Sequence, residues 1–186
     1  MNASVNAAVG TMTKKHPLHL TALRKVPALL TVSLLLLLSA CATTPQRNKH
    51  PNKTPQNVSV AAGPNRELAL YAMKFLGTPY KYSGSSPSEG FDCSGLVQYS
   101  AKKSLKLNLP RRAADQANYG QSINLKNAQA GDLLFFNTDG QPYSHVGIYI
   151  GQTYFIHSPS AGKDVRIEDY TQTYWTQRFT SARRVQ

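Results

Sequence analysis

Apolar residues change rhythm part-way along this chain, and that change limits its fold more than any other property. Up to about Gly120 they recur at helical spacing between helix start and stop signals. Asn65 can cap a helix carrying Leu68, Leu70, Tyr71 and Leu76; Gly77 stops it, and Pro79 prevents its resumption. A Gly/Ser loop from Ser83 to Gly90 leads to a second helix, predicted to start at or beside Cys93. Leu96 and Val97 face its core side, and Lys102 and Lys103 lie near its C-terminal end, where cations are favoured. Pro110 ends the next segment, and a short helix is expected around Ala113 to Asn118, closing at Gly120. Beyond it the pattern turns strand-like. Asp132 to Phe136, His145 to Ile150, Tyr154 to His157 and Val165 to Ile167 are short β-rich runs separated by Gly, Pro, Asp and Asn. Helices first and an antiparallel sheet afterwards define an α+β domain, with N-terminal helices packed on a small antiparallel β-sheet. There is no internal repeat.

The N-terminal segment has a separate character. Arg24 and Lys25 precede an apolar run from Val26 to Leu38, followed by Leu38-Ser39-Ala40-Cys41. That is the layout of a secretory signal, and it is short for a membrane span. Small residues just before a cysteine resemble a lipobox, which implies that Cys41 is diacylated and becomes the mature N-terminus. The alternative is an uncleaved anchor with an incidental cysteine. Counted from Met1 the leader is residues 1–40; a start at Met12 brings it within the usual range of about 15 to 30 residues. Residues 41–63, rich in Thr, Pro, Gln, Asn and Lys, read as a flexible tether behind the lipidated cysteine. The folded domain is expected over 64–186, with its first packed residues near Asn65. The chain is then lipid-anchored to a membrane. Ala42 after the lipid site implies, in enteric-type bacteria, the periplasmic face of the outer membrane.

The formal charge is +12, from 21 Lys and Arg against 9 Asp and Glu. Lys14, Lys15, Arg24 and Lys25 belong to the leader and no acidic residue precedes Glu67, leaving 17 basic against 9 acidic residues, +8. Such a surplus favours anionic surroundings without choosing among them. An RNA-binding aromatic motif, zinc-finger spacing and a basic helix are all missing, so nucleic acid is not the expected partner.

Only Cys41 and Cys93 occur, and lipidation consumes the first. The folded domain therefore holds one cysteine and no disulfide, and a leftover thiol in an exported protein either pairs between chains or reacts. Phe91-Asp92-Cys93-Ser94-Gly95-Leu96 places it at a helix N-terminus, where free N–H groups and the helix dipole are expected to stabilise a thiolate. Such a nucleophile needs a base that later protonates the leaving amine. His145 opens an apolar strand, and His157 lies on the next one, placed to hold the imidazole of His145 in one tautomer. Strand parity sets a condition. A plain two-residue hairpin puts the two histidines on opposite faces, so their cooperation requires an odd loop or a bulge. The competing readings are an inert core cysteine, a surface His145 and a His157 that merely bonds a carbonyl.

Six ordered fragments carry a resemblance: Gly77-Thr78-Pro79-Tyr80, Phe91 to Leu96, Leu109-Pro110-Arg111, Gly131 to Phe136, Ser144 to Tyr149 and Phe155-Ile156-His157-Ser158. Together they resemble the NlpC family of papain-like cysteine peptidases from about Asn65 to Val185, above all its single-domain murein endopeptidase lipoproteins. The resemblance implies a papain-like fold, Cys93 as nucleophile, His145 as base and His157 as orienting residue. It also implies a Tyr80 hydroxyl near the oxyanion, beside the Cys93 backbone N–H, and Asp92 and Ser94 contacting the substrate amine or peptide. Asp92 can equally be a local cap, and Arg111 either meets a substrate carboxylate or forms an internal salt bridge. Asp132 reads as a structural turn residue. Ser83 and Ser158 depart from the family pattern, glycine and alanine being usual, at positions expected to border the cleft.

The implied reaction is hydrolysis of amide bonds in peptidoglycan stem peptides or crosslinks through a thioacyl enzyme, by a monomer and without metal or organic cofactor. Two other classes stand beside it: a cysteine acyltransferase or amidase acting on a lipid or small molecule, which an apolar water-excluding cleft favours, and a non-catalytic envelope scaffold.

Overall fold

The structure is a computed structural model in which residues 58–186 are described. The leader, Cys41 and most of the tether lie outside the described residues.

Helix α1 spans Arg66–Met73. A two-stranded hairpin follows, β1 (Ser85–Ser86) with β2 (Gly90–Phe91), and leads directly into α2 (Cys93–Ser104). The short helix α3 (Ala113–Gln116) precedes β3 (Gln121–Ile123) and a single 3-10 turn, Leu125–Asn127. The rest is β4 (Leu133–Phe136), β5 (His145–Gly151), β6 (Tyr154–His157), β7 (Arg166–Asp169), the short helix α4 (Thr173–Thr176) and β8 (Phe179–Arg184). The six strands β3 to β8 form one antiparallel sheet in the order β3-β8-β4-β5-β6-β7. The α+β architecture expected from the change of rhythm is therefore present. β3, β8 and α4 were not foreseen.

Alternation along the strands separates two apolar clusters. Leu133, Phe135, Val146, Ile148, Ile156 and Ile167 face α1 and α2, where they pack with Leu68, Leu96 and Val97. Leu134, Phe136, Tyr149, Phe155 and Ala182 face the other way and pack around Trp175 of α4. A strand covered on both sides has no polar face to show, which is why β4 reads Leu-Leu-Phe-Phe with every residue buried. Burial of each such side chain stabilises the fold by about 1.5–3 kcal/mol, so the sheet's middle strands dominate the packing energy.

Packing starts earlier than Asn65. Val58 and Val60 already rest against the main cluster, and the Ala61 N–H donates to the Ile150 carbonyl at 2.9 Å. Residues 58–63, expected to belong to the tether, are held by two apolar anchors that the polar composition around them hid. Asn65 sits at the start of α1 but makes no side-chain cap hydrogen bond. It is fully buried instead.

Candidate active site

The hairpin β1–β2 and helix α2 place Cys93. Asp92 caps α2, its Oδ1 accepting the Gly95 N–H at 2.7 Å, so the helix begins at the cysteine. Gly95 is required by close packing: a Cβ there would lie 2.1 Å from the Gly84 carbonyl oxygen. Ser83, at the tip of the loop before Gly84, has φ +57, a left-handed conformation that explains why glycine is usual at this position. Ser158 is wholly buried and its Oγ donates to the Phe91 carbonyl at 2.6 Å, tying the end of β6 to the residue two before the thiol. Ser158 was expected to border the cleft. Burial removes it from any substrate, and its hydroxyl serves the scaffold.

The two histidines meet at one end of β5 and β6. His145 Nε2 and His157 Nδ1 are 2.8 Å apart, and both rings are buried. The parity condition is satisfied by a bulge. Gly151 pairs with Tyr154 across the two-residue turn Gln152-Thr153, but the register shifts between Tyr149 and Gly151, so that Ile148 faces Ile156. That shift puts odd-numbered residues of both strands on one face and brings the rings together. The Cys93 sulfur accepts the backbone N–H of Val146, the residue after His145, and that of Ser94. Thiol and imidazole pair therefore converge on the start of β5.

Two residues the sequence did not single out complete the cluster. The Trp175 indole stacks on His145, centroids 5.7 Å apart at 28°, and meets His157 edge-on at 5.2 Å. Its Nε1 donates to Glu168 Oε2 on β7. Glu168 Oε1 faces His157 Nε2 at 3.6 Å, longer than a normal hydrogen bond, and is also paired with Arg166. The available signal was the alternation Arg166-Ile167-Glu168: with Ile167 turned to the core, both charged residues share the face of His157, which pairs with Arg166.

Electrostatics here follow burial. It pushes the Cys93 thiol above its ordinary value, with Asp92 adding to the rise, against the Val146 and Ser94 N–H groups and Arg111. Desolvation thus works against the thiolate expected from the helix terminus, while the Val146 and Ser94 N–H groups work for it. Burial also takes His145 well below the usual histidine range, and His157 adds to the drop. His157 is lowered chiefly by burial, with Glu168 opposing. Both imidazoles are neutral at pH 7. For Glu168, burial alone raises the carboxyl, but His157, Arg166 and Trp175 together hold it at about 2. With His157 neutral at pH 7, Arg166 and Trp175 are the partners that keep it ionised there.

Asp92, Ser94 and Arg111 form a closed network. Arg111 donates to both Asp92 oxygens, at 2.9 and 2.6 Å, and to Ser94 Oγ at 2.9 Å. Asp92 thus caps α2 and Arg111 forms an internal salt bridge with it. Tyr80 is partly buried; burial and the nearby Cys93 and Asp92 raise its hydroxyl pKa. Asp132 is a buried turn residue, Oδ2 accepting the Gln129 N–H and both oxygens gripped by Arg184. Cys41 lies outside the described residues. Among the described residues no group of three or more His, Cys, Asp or Glu side chains could hold a metal ion.

A cavity of about 780 Å³ opens beside His145 and Trp175. Its walls include Thr138, Lys163, Arg166, Glu168, Asp169 and Gln172, a polar lining with charges of both signs.

A thiol at a helix N-terminus, delivered to paired histidines at the start of an antiparallel sheet, defines a papain-like cysteine–histidine fold. The chain belongs to the NlpC/P60 family, whose pattern matches residues 77–184. It is 34% identical over 194 residues to Murein DD-endopeptidase MepS/Murein LD-carboxypeptidase of Escherichia coli K12, covering 94% of this chain and 98% of that one. It is 40% identical to Murein DD-endopeptidase MepH of the same organism, over 61% of this chain but only 43% of that protein's length. A lipoprotein-like NLP/P60 protein of Staphylococcus aureus superposes with a TM-score of 0.59 at 35% identity, covering 70% of this chain and 44% of that one.

Proposed function

We propose that this chain is a cysteine-dependent murein endopeptidase of the bacterial cell envelope. The observation that carries the reading is the 2.8 Å contact between His145 and His157 beside a thiol seated at a helix N-terminus. The relatives named as murein endopeptidases supply the substrate class. In the resting enzyme the site is a neutral thiol and two neutral imidazoles. With His145 Nε2 engaged by His157, only Nδ1 is left to take the Cys93 proton. The sulfur attacks the peptide carbonyl, the oxyanion meets the Cys93 N–H and the Tyr80 hydroxyl, and the imidazolium protonates the departing amine. Water, deprotonated by the same imidazole, then releases the thioacyl enzyme. His157 orients His145 throughout.

Neither Cys93 nor Tyr80 lines the cavity beside His145, so the substrate class rests on the relatives and not on that lining. Residues 1–40 act as the leader, Cys41 carries the lipid, and the segment after it tethers the catalytic domain at the periplasmic face of the outer membrane. No helix among the described residues is long and apolar enough to cross a membrane. The test is mass spectrometry of purified wall fragments incubated with the protein and with Cys93→Ser. New stem-peptide termini that depend on Cys93 are expected; equal cleavage by the serine variant would refute the mechanism, and intact fragments throughout would refute the substrate class. Cys41→Ala should leave cleavage by purified protein unchanged and release the chain from membranes.

A further inference from the structure

Two neutral imidazoles joined by one hydrogen bond are ambiguous. The shared proton sits either on His145 Nε2 or on His157 Nδ1, and a 2.8 Å separation is the same for both. The two arrangements differ in chemistry. With the proton on His145 Nε2, its Nδ1 is bare and can accept a proton from the thiol. With the proton on His157 Nδ1, His145 carries its own proton on Nδ1 and cannot act as base.

Glu168 removes the ambiguity. His157 Nε2 is buried, has no hydrogen-bond partner within normal distance, and faces Glu168 Oε1 at 3.6 Å. A carboxylate there favours a proton on Nε2. A neutral imidazole carries one proton, so Nδ1 is left bare and must accept from His145 Nε2–H. Arg166 on Oε1 and the Trp175 indole on Oε2 fix the carboxylate on this side, while the same indole stacks on His145. We infer that Glu168 is a positioning residue: facing Nε2 of His157, it sets the tautomers of both histidines so that His145 presents a bare Nδ1 to Cys93. The inference rests on the proposed role of His145 as base. Its effect on the reaction is indirect, as for carboxylates behind metal-bound histidines.

Imidazole nitrogen NMR on the full chain, with His145 and His157 assigned by substitution, tests it without any substrate. The wild-type protein is expected to show both protons on Nε2. Glu168→Gln, whose amide can accept or donate, is expected to populate Nδ1–H on His157 and to lower kcat on a defined stem peptide roughly 10- to 100-fold with KM nearly unchanged. Glu168→Asp should recover part of the loss. A wild-type His157 protonated on Nδ1 overturns the inference whatever the variants do. So does a Glu168→Gln protein that loses kcat with unaltered tautomers, because Glu168 would then act through packing alone. Absence of wild-type cleavage together with the expected tautomers would refute the substrate assignment and leave this inference standing.

Discussion

Replacing Asp92 separates a structural from a substrate-binding role at the residue beside the nucleophile. Asp92→Ala removes the cap on Gly95 and the two-pronged pair with Arg111. Loss of an N-cap costs about 1 kcal/mol. The Arg111 pair is charge-assisted and short, but the arginine side chain is 36% exposed, so its share is held to about 1 kcal/mol. The sum is about 2 kcal/mol, a fall in Tm of about 6–10 °C for a domain of this size. Asp92→Asn keeps a capping oxygen and loses only the charge, so it should fall about half as far. Thermal unfolding followed by circular dichroism reads both, alongside kcat and KM. Equal melting of the alanine and asparagine proteins would refute the capping argument. An unshifted Tm with a raised KM in both would show that Asp92 serves substrate and not the helix.

His145→Ala should be inactive on a defined stem peptide, and His157→Ala impaired by up to about 10⁴-fold, with His157→Asn or His157→Gln recovering part of the loss; a wild-type rate for His157→Ala would reduce the site to a dyad. Because burial lowers both histidines below their unfolded value near 6.5, their contribution to stability is complete above that pH and is lost as pH falls below it, at up to about 2.7 kcal/mol per unit for two groups. Glu168, held at about 2, weakens the fold in the same direction between its usual 4.5 and that value. Unfolding scans at pH 7.5 and 5.5 should show the fall, and a flat profile would contradict neutral buried imidazoles. Ser158→Ala deletes the 2.6 Å bond to the Phe91 carbonyl, which keeps the Lys81 N–H, and should cost about 0.5–1.5 kcal/mol of stability, read by denaturant titration; no loss would refute a scaffold role for the hydroxyl.

The elements legible in the sequence were those whose burial leaves a mark on composition. β4 and β5 are buried along their full lengths and stand out as apolar runs. β8, Phe179 to Arg184, lies between β3 and β4 yet has only Ala182 fully buried, so it reads as a polar tail. Cys93 and the two histidines were legible because their chemistry is scarce in this chain, and of the two devices that strand parity allowed, an odd loop or a bulge, the structure has the bulge, between Tyr149 and Gly151. Glu168 and Trp175 were not, because their relation to His157 is a matter of register and of a one-turn helix packing back on the sheet. The opposition to the expected thiolate was hidden for a different reason: a helix terminus is visible in sequence, whereas the desolvation of the sulfur arises only in the folded domain.

That desolvation has a consequence for survival in an oxidising compartment. Peroxide and disulfide oxidants react with the thiolate form, and a sulfur kept protonated by its surroundings presents little of it. Burial, opposed by the Val146 and Ser94 N–H groups, holds the partly exposed thiol of Cys93 toward its protonated form between turnovers, and its reactivity rises when a neighbouring imidazole takes the proton. Among the described residues Cys93 is the single thiol, and it meets such oxidants chiefly in its protonated form.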